Sequence, residues 1–375
     1  MSRRALALLV PLAACGGGVG KDPVLPPPSP VPDHSYRLLA TAESDDQVAL
    51  IEFRPCCGAR VVRTYDVGFW AAETEGPHGV VATPDGKTMY VSLAHGRPTG
   101  WLQKLDLESG RRLGAVELGM FPATVDIGPG GTLVYVINFN FEDPEMQPSS
   151  LSVVDGVTLL EVARPPTCRM PHGSRLNPQG TKHYSGCMMD DLLVEVDTRR
   201  FAVARLFNVA PGHEGGVPAT GAGQGRGAHA VSNACSPTWA QPAADGARVY
   251  VACNRSAEIV EVDVATWRLT RRWPTPPAPY NLAVTPDGRL LVVTQKGPGT
   301  TTIWRLADAT LLAEIPGTRK VASGVAVSPD SRYAFVTLEG IGGEPGTVDV
   351  IDLGRLVKVA SVDMGKQAGG VWVLP

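Results

Sequence analysis

The sequence predicts an all-β protein, and three observations carry that prediction. Glycines number 42 and prolines 33 in 375 residues, and they punctuate short apolar runs. No stretch has the apolar spacing of a long amphipathic helix. A unit of strand, tight turn and strand recurs, most clearly as GVVATPDGKTMYVSLAHG, NLAVTPDGRLLVVTQKG and GVAVSPDSRYAFVTLEG.

Each copy begins with an apolar strand that ends at a Pro-Asp-Gly-type turn, where Pro sets φ and Gly tolerates the reversal. A second strand of aromatic and β-branched residues follows. A third ends near Asp: WLQKLD, LLVEVD, AEIVEVD and TVDVID. The aromatic position of the second strand falls at Tyr90, Tyr135, Tyr184, Tyr250, Val292 and Phe335, in steps of 45, 49, 66, 42 and 43 residues. A period in the forties with about four strands per unit predicts a β-propeller. The long step holds the Gly-rich insert 211–230. At the N-terminus YRLLATAES, QVALIEF and ARVVRTYDV supply three outer strands without an inner one, and the C-terminal GGVWVLP supplies an inner strand without successors. The expected fold is therefore a seven-bladed β-propeller over residues 36–375, its N-terminal blade closed by the C-terminal strand so that no sheet edge stays open.

The residues Tyr90-Val91-Ser92, Tyr135-Val136-Ile137-Asn138, Tyr250-Val251-Ala252-Cys253-Asn254 and Phe335-Val336-Thr337, with their turns, resemble the YVTN β-propeller repeat family. The resemblance implies the fold and leaves the function open. Relatives with similar blades include secreted surface proteins, lactonases and the propellers of periplasmic redox enzymes, and a shared fold does not choose among them.

Arg3 and Arg4 precede the apolar run Ala5–Ala14, which is too short to span a bilayer. The sequence Leu12-Ala13-Ala14-Cys15 resembles a bacterial lipoprotein signal. That resemblance implies removal of residues 1–14 and lipidation of Cys15, and Gly16 resembles the residue of lipoproteins sent to the outer membrane. An ordinary secretory signal is the alternative. Residues 15–35 form a Gly/Pro-rich tether. The expected location is extracytoplasmic, on the bacterial cell envelope, with the membrane as partner through the lipid anchor. A net charge of −3 without any Lys/Arg cluster excludes a nucleic-acid partner. A monomer is expected.

Cys168 and Cys187 flank a hairpin turn near residues 178–179, and Cys235 and Cys253 flank one near 244–245. In an oxidising location these positions predict two disulfides, with free thiolate ligands as the alternative. Cys56 and Cys57 share a turn tip, and the sequence leaves their state open.

In a propeller the inner strands line a central channel. The residue six before each turn proline, with Ala244 standing in once, is expected at one mouth of it: Gly369, His78, Ala123, His172, Thr238, Tyr280 and Ser323. The two histidines share a Pro-His-Gly setting. Loops after the second strands bring His95, Met188, Met189, Asp190 and Lys296 to the same rim. The expected binding face is thus His78, His172, Tyr280, Thr238, His95 and Lys296, for an unidentified protein, glycan or small ligand. Paired imidazoles beside Met170, Met188 and Met189 suit copper(I) over calcium or magnesium. The plainer alternative is that both histidines hydrogen-bond backbone. A metal-dependent oxidoreductase, hydrolase or lactonase at His78 and His172 is the second function class. The chain lacks CxxCH, which excludes covalent c-type haem, and lacks GxSxG. The insert 211–230, with His213, Glu214, Arg226 and His229, is expected on the histidine face, as a lid or as a surface loop.

Overall fold

A computed structural model describes residues 34–96, 98–141, 143, 145, 147–218 and 233–375; the expected signal peptide, Cys15 and nearly all of the tether lie outside these. The described residues form β-strands and a single short 3-10 turn, Glu43–Asp45. Five separate four-stranded sheets are antiparallel, and a sixth sheet has nine strands. The nine-stranded sheet is two four-stranded antiparallel runs joined only where Gly173 pairs in parallel with Trp239, plus the strand Gly215–Val217 at one outer edge. Such sheets set around a channel make a β-propeller.

The recurring turns fall where the sequence puts them, and the second-strand column is the core. Tyr90, Tyr135, Tyr184, Tyr250, Val292 and Phe335 are all buried. The ends of the chain also meet as expected. Strand Ala368–Val373 runs antiparallel to Tyr36–Ala42, pairing Leu38 with Val373 and Ala40 with Val371.

The residue two beyond each second-strand aromatic explains part of the repeat. Register shifts between Pro77 and Val80, Pro279 and Leu282, and Ala322 and Val325 free an inner-strand N–H. In those sheets a hydroxyl accepts it: Gly79 N–H donates to Ser92 Oγ at 2.9 Å, Asn281 N–H to Thr294 Oγ1 at 3.0 Å, and Gly324 N–H to Thr337 Oγ1 at 2.8 Å. The same hydroxyls donate onward to the next sheet, at the carbonyls of Ala123, Ser323 and Gly369. One side chain thus satisfies a buried donor and staples neighbouring blades. The carbonyls of His172 and Tyr280 are held instead by inner-strand threonines, Thr124 and Thr238.

Inner strands crowd most at the residue after each mouth position, and there glycine is favoured. A Cβ on Gly79 would lie 2.5 Å from the Ala123 carbonyl oxygen, and one on Gly173 would lie 2.2 Å from the Trp239 ring. Gly173→Ala is therefore expected to destabilise the fold by about 2–3 kcal/mol through overpacking. Gly343→Ala, where a Cβ meets nothing within 4 Å, should be neutral. Denaturant midpoints of the two variants check this; equal midpoints refute the crowding argument.

Among the described residues there are three disulfides, Cys168–Cys187, Cys235–Cys253 and the adjacent pair Cys56–Cys57. The two long-range bridges were expected, but not with quite this register. Cys187 pairs across the sheet with Pro171 and Cys253 with Pro237, so Cys168 and Cys235 reach their partners from the loops before the inner strands. The insert begins at the outer edge of its sheet. Gly215–Val217 adds to strand Ala202–Asn208, and Glu214 pairs with Arg272 at 2.7 Å. This part does not cover the channel; Arg226 and His229 lie outside the described residues.

Candidate functional site

The mouth residues converge on a cavity of about 360 Å³ at the channel axis. Gly369, His78, His172, Tyr280 and Ser323 line it as the register predicts. The other two expected residues do not. Ala123 is buried against Phe121, Phe139 and Met170, and Thr238 turns its hydroxyl to the Tyr280 carbonyl at 2.9 Å. Thr238 is therefore a staple between strands and presents no side chain to the channel.

At the rim, Glu43 links two histidines. His78 Nδ1–H donates to Glu43 Oε2 at 3.2 Å and His95 Nε2–H to Oε1 at 2.7 Å. Glu43 sits on the 3-10 turn, which the C-terminal segment anchors. The Glu43 N–H donates to the Gln367 carbonyl at 3.1 Å, and the Lys366 N–H to Asp45 Oδ2 at 2.7 Å. Burial alone would raise the Glu43 carboxyl, but positive charge on His78 and hydrogen bonds from both imidazoles hold it at about 2, well below the ordinary 4.5.

That depression has a testable sign. A carboxyl held low in the fold adds stability above its ordinary pKa, and loses it as pH falls through the folded value. Replacing Glu43 by Gln should cost on the order of 3 kcal/mol at pH 5.5, and the difference from wild type should shrink between pH 4.5 and 2. Urea titrations across that window check it; a pH-independent difference refutes the charge-based account.

His172 is held otherwise. Burial drives its pKa down to about 3, so the ring is neutral. Its Nδ1–H donates to the Thr238 carbonyl at 3.2 Å, which leaves Nε2 to accept from the Tyr280 hydroxyl at 3.2 Å. Burial raises Tyr280. Lys296 lies 4.4 Å over the Tyr280 ring and pairs with Glu339 at 3.0 Å; against burial, which would lower it, Tyr280 and Glu339 raise its pKa. The His78 and His172 rings are edge to face with centroids 5.7 Å apart. An aromatic wall completes the mouth. Phe139 packs edge to face on His172 at 4.8 Å and stacks with the exposed Phe141 at 5.5 Å.

The methionines separate. Met188 lines the cavity, Met170 is buried in the cluster with Phe121, Ala123 and Phe139, and Met189 Sδ accepts from Asn233 Nδ2 at 3.5 Å. Asp190, expected at the rim, is paired to Arg169. Among the described residues no group of three or more His, Cys, Asp or Glu is placed to hold a metal ion. In this arrangement His172 offers a metal no lone pair, so a copper ion shared by His78 and His172 does not fit unless Tyr280 lets go.

A larger recess of about 980 Å³ opens near the turns 244–248 and 286–289. Its arginines are spoken for by carboxylates: Arg248 and Arg271 by Glu261, Arg289 by Asp287 and Arg305 by Asp308. The smaller channel cavity gathers Glu43, His172, Tyr280 and Lys296, all with shifted pKa, from several blades, and is the stronger site.

Fold and cavity together define a β-propeller with a histidine- and aromatic-lined channel mouth. Solved structures share the fold. A putative 6-phosphogluconolactonase from Bacteroides uniformis has a TM-score of 0.66 at 13% identity, covering 91% of this chain and 99% of its own. A functionally unknown protein from Desulfotomaculum acetoxidans has a TM-score of 0.66 at 14% identity, covering 90% and 98%. Hydrazine synthase from Kuenenia stuttgartiensis has a TM-score of 0.62 at 19% identity, covering 81% and 92%. No family model and no curated protein matches the chain.

Proposed function

We propose that the chain is an extracytoplasmic, lipid-anchored seven-bladed β-propeller that binds a small molecule at the mouth of its central channel. The blade count rests on treating the two four-stranded runs of the nine-stranded sheet as separate blades. Export to an oxidising compartment is supported by the three disulfides, and the anchor by the Leu12–Cys15 sequence. One observation carries the binding assignment: buried, perturbed polar groups from several blades converge on one cavity with aromatic walls. The cavity suits a small ligand better than a protein or a glycan chain. A panel of small sugars, lactones and organic acids is screened by thermal shift on wild type and His78→Ala protein. Stabilisation of wild type that the variant loses supports the assignment; no shift by any compound refutes it.

A hydrolytic second reading rests on Glu43 and His78. In the neutral form of the ring, a carboxylate that accepts from Nδ1–H orients the imidazole and leaves Nε2 to take a proton from attacking water, as in general-base catalysis. The fold shared with a putative lactonase makes lactones the first substrates to try. Acid release on a pH-stat, lost in both Glu43→Gln and His78→Ala, would support it; equal release by wild type and variants would reject it.

A further inference from the structure

One step down the channel from the histidines, the column that is glycine in four inner strands carries Thr124, Trp239 and Asn281 in the others. Arg175 reaches the same level, with its guanidinium 4.7 Å from the Trp239 ring. All four side chains line the cavity. Two of them lack the partners their burial requires. Trp239 is 6% exposed and its Nε1–H has no acceptor, while Asn281 is 4% exposed and its Oδ1 has no donor.

The Arg175 guanidinium has five N–H donors. Its one described hydrogen bond runs from Nη1 to the neighbouring Ser174 carbonyl at 2.8 Å. Among the described residues no carboxylate forms an ion pair with it. Asp126, the acid whose charge it feels, is occupied by the N–H groups of Ile127 and Leu176 at 2.8 and 2.7 Å. Arg175 is half-buried, and a cation withdrawn even partly from water without a carboxylate partner is costly. Stacking on an indole offsets part of that cost but supplies no anion.

We propose that Arg175 and the Trp239 Nε1–H bind the carboxylate of a small organic acid within the channel, with Asn281 Oδ1 accepting from a hydroxyl of the same ligand. The planar fork of arginine matches a carboxylate two bonds at a time, and the indole adds a third donor. The other cation lining the cavity, Lys296, is already paired with Glu339, so a monoanion balances Arg175 better than a phosphate dianion does. The remainder of the molecule extends toward His172 and Tyr280. The inference rests on the channel-binding assignment and specifies its ligand class.

Mandelate serves as the probe, being a ring that carries adjacent hydroxyl and carboxylate groups. Mandelamide is its uncharged match, and phenyl phosphate is the phosphate-bearing arm. Calorimetric titration of full-length protein should show mandelate binding at least ten-fold tighter than mandelamide and tighter than phenyl phosphate. Arg175→Gln should lose at least ten-fold of mandelate affinity. Trp239→Phe, which keeps the ring and removes the donor, should lose about three-fold and covers the case in which the arginine variant fails to fold. Equal binding of mandelate and mandelamide, lost together in His78→Ala, overturns the carboxylate site and leaves channel binding standing. Tighter binding of phenyl phosphate overturns the carboxylate in favour of a phosphate. Absence of binding by all three means that water alone satisfies these groups, and also overturns the proposal.

Discussion

Removal of residues 368–375 is expected to abolish cooperative unfolding, not merely to lower its midpoint. The deleted strand fills the channel side of a sheet whose other three strands come from the N-terminus. It carries Ala368, Val371 and Leu374, all buried, into two core clusters, where Val371 packs with Tyr36 and Phe335. Burial of those side chains, together with the ladder to Tyr36–Ala42, is worth on the order of 10 kcal/mol. A whole domain has roughly 5–15 kcal/mol of net stability. The loss also reaches the site, because Gln367 and Lys366 hold the turn that carries Glu43 only while the strand behind them is seated. Circular dichroism during urea titration of the truncated protein should show no sigmoidal transition. Addition of a synthetic 368–375 peptide should restore part of it. A truncated chain with the wild-type transition would mean that the ends do not close the fold.

The fold was legible because its signals are local and repeated. A Pro-Asp-Gly turn fixes a hairpin by itself, and a column of buried aromatics recurs beside it, so neither depends on knowing the neighbouring blade. Closure was legible by subtraction, since the first blade lacked one strand and the last residues offered one. The site was half legible. Counting six residues back from each turn proline finds His78, His172 and Tyr280, because inner strands share a register. Glu43 escaped, since it sits on a turn after the first outer strand with no counterpart in other repeats. Thr238 was misplaced, because a hydroxyl next to a neighbouring carbonyl satisfies itself there before it faces water. Arg175 and Trp239 were missed for a different reason: their significance lies in what they lack, and a missing partner across the channel leaves no mark in one strand. The signal was in the column after the mouth position. Glycine stands there where blades crowd, as at Gly79 and Gly173, and a large side chain breaking that pattern, as Trp239 does, marks the channel wall.

Reduction of the two long-range disulfides should weaken the fold far more than their small share of the core suggests. Cys168–Cys187 closes a separation of 19 residues and Cys235–Cys253 one of 18. By chain-entropy reasoning each stabilises by on the order of 3 kcal/mol. All four cysteines are buried, so Cys→Ala pairs are better tests than Cys→Ser, which would bury new hydroxyls. The bridges are not independent. The loop that follows Cys187 holds both: Asp190 accepts from the Arg169 N–H beside Cys168, and Asp191 accepts from the N–H groups of Ala234, Cys235 and Ser236. Losing one bridge loosens this loop and so weakens the seat of the other. Each separate loss therefore already includes part of the other bridge's contribution, and removing both pairs should cost measurably less than the sum of the two separate losses. Denaturant midpoints of wild type, the two paired variants and the fourfold variant measure the coupling. Strict additivity would show that Asp190 and Asp191 carry no coupling between the bridges. An unchanged midpoint on adding reductant to wild type would show that the bridges do not stabilise the fold at all.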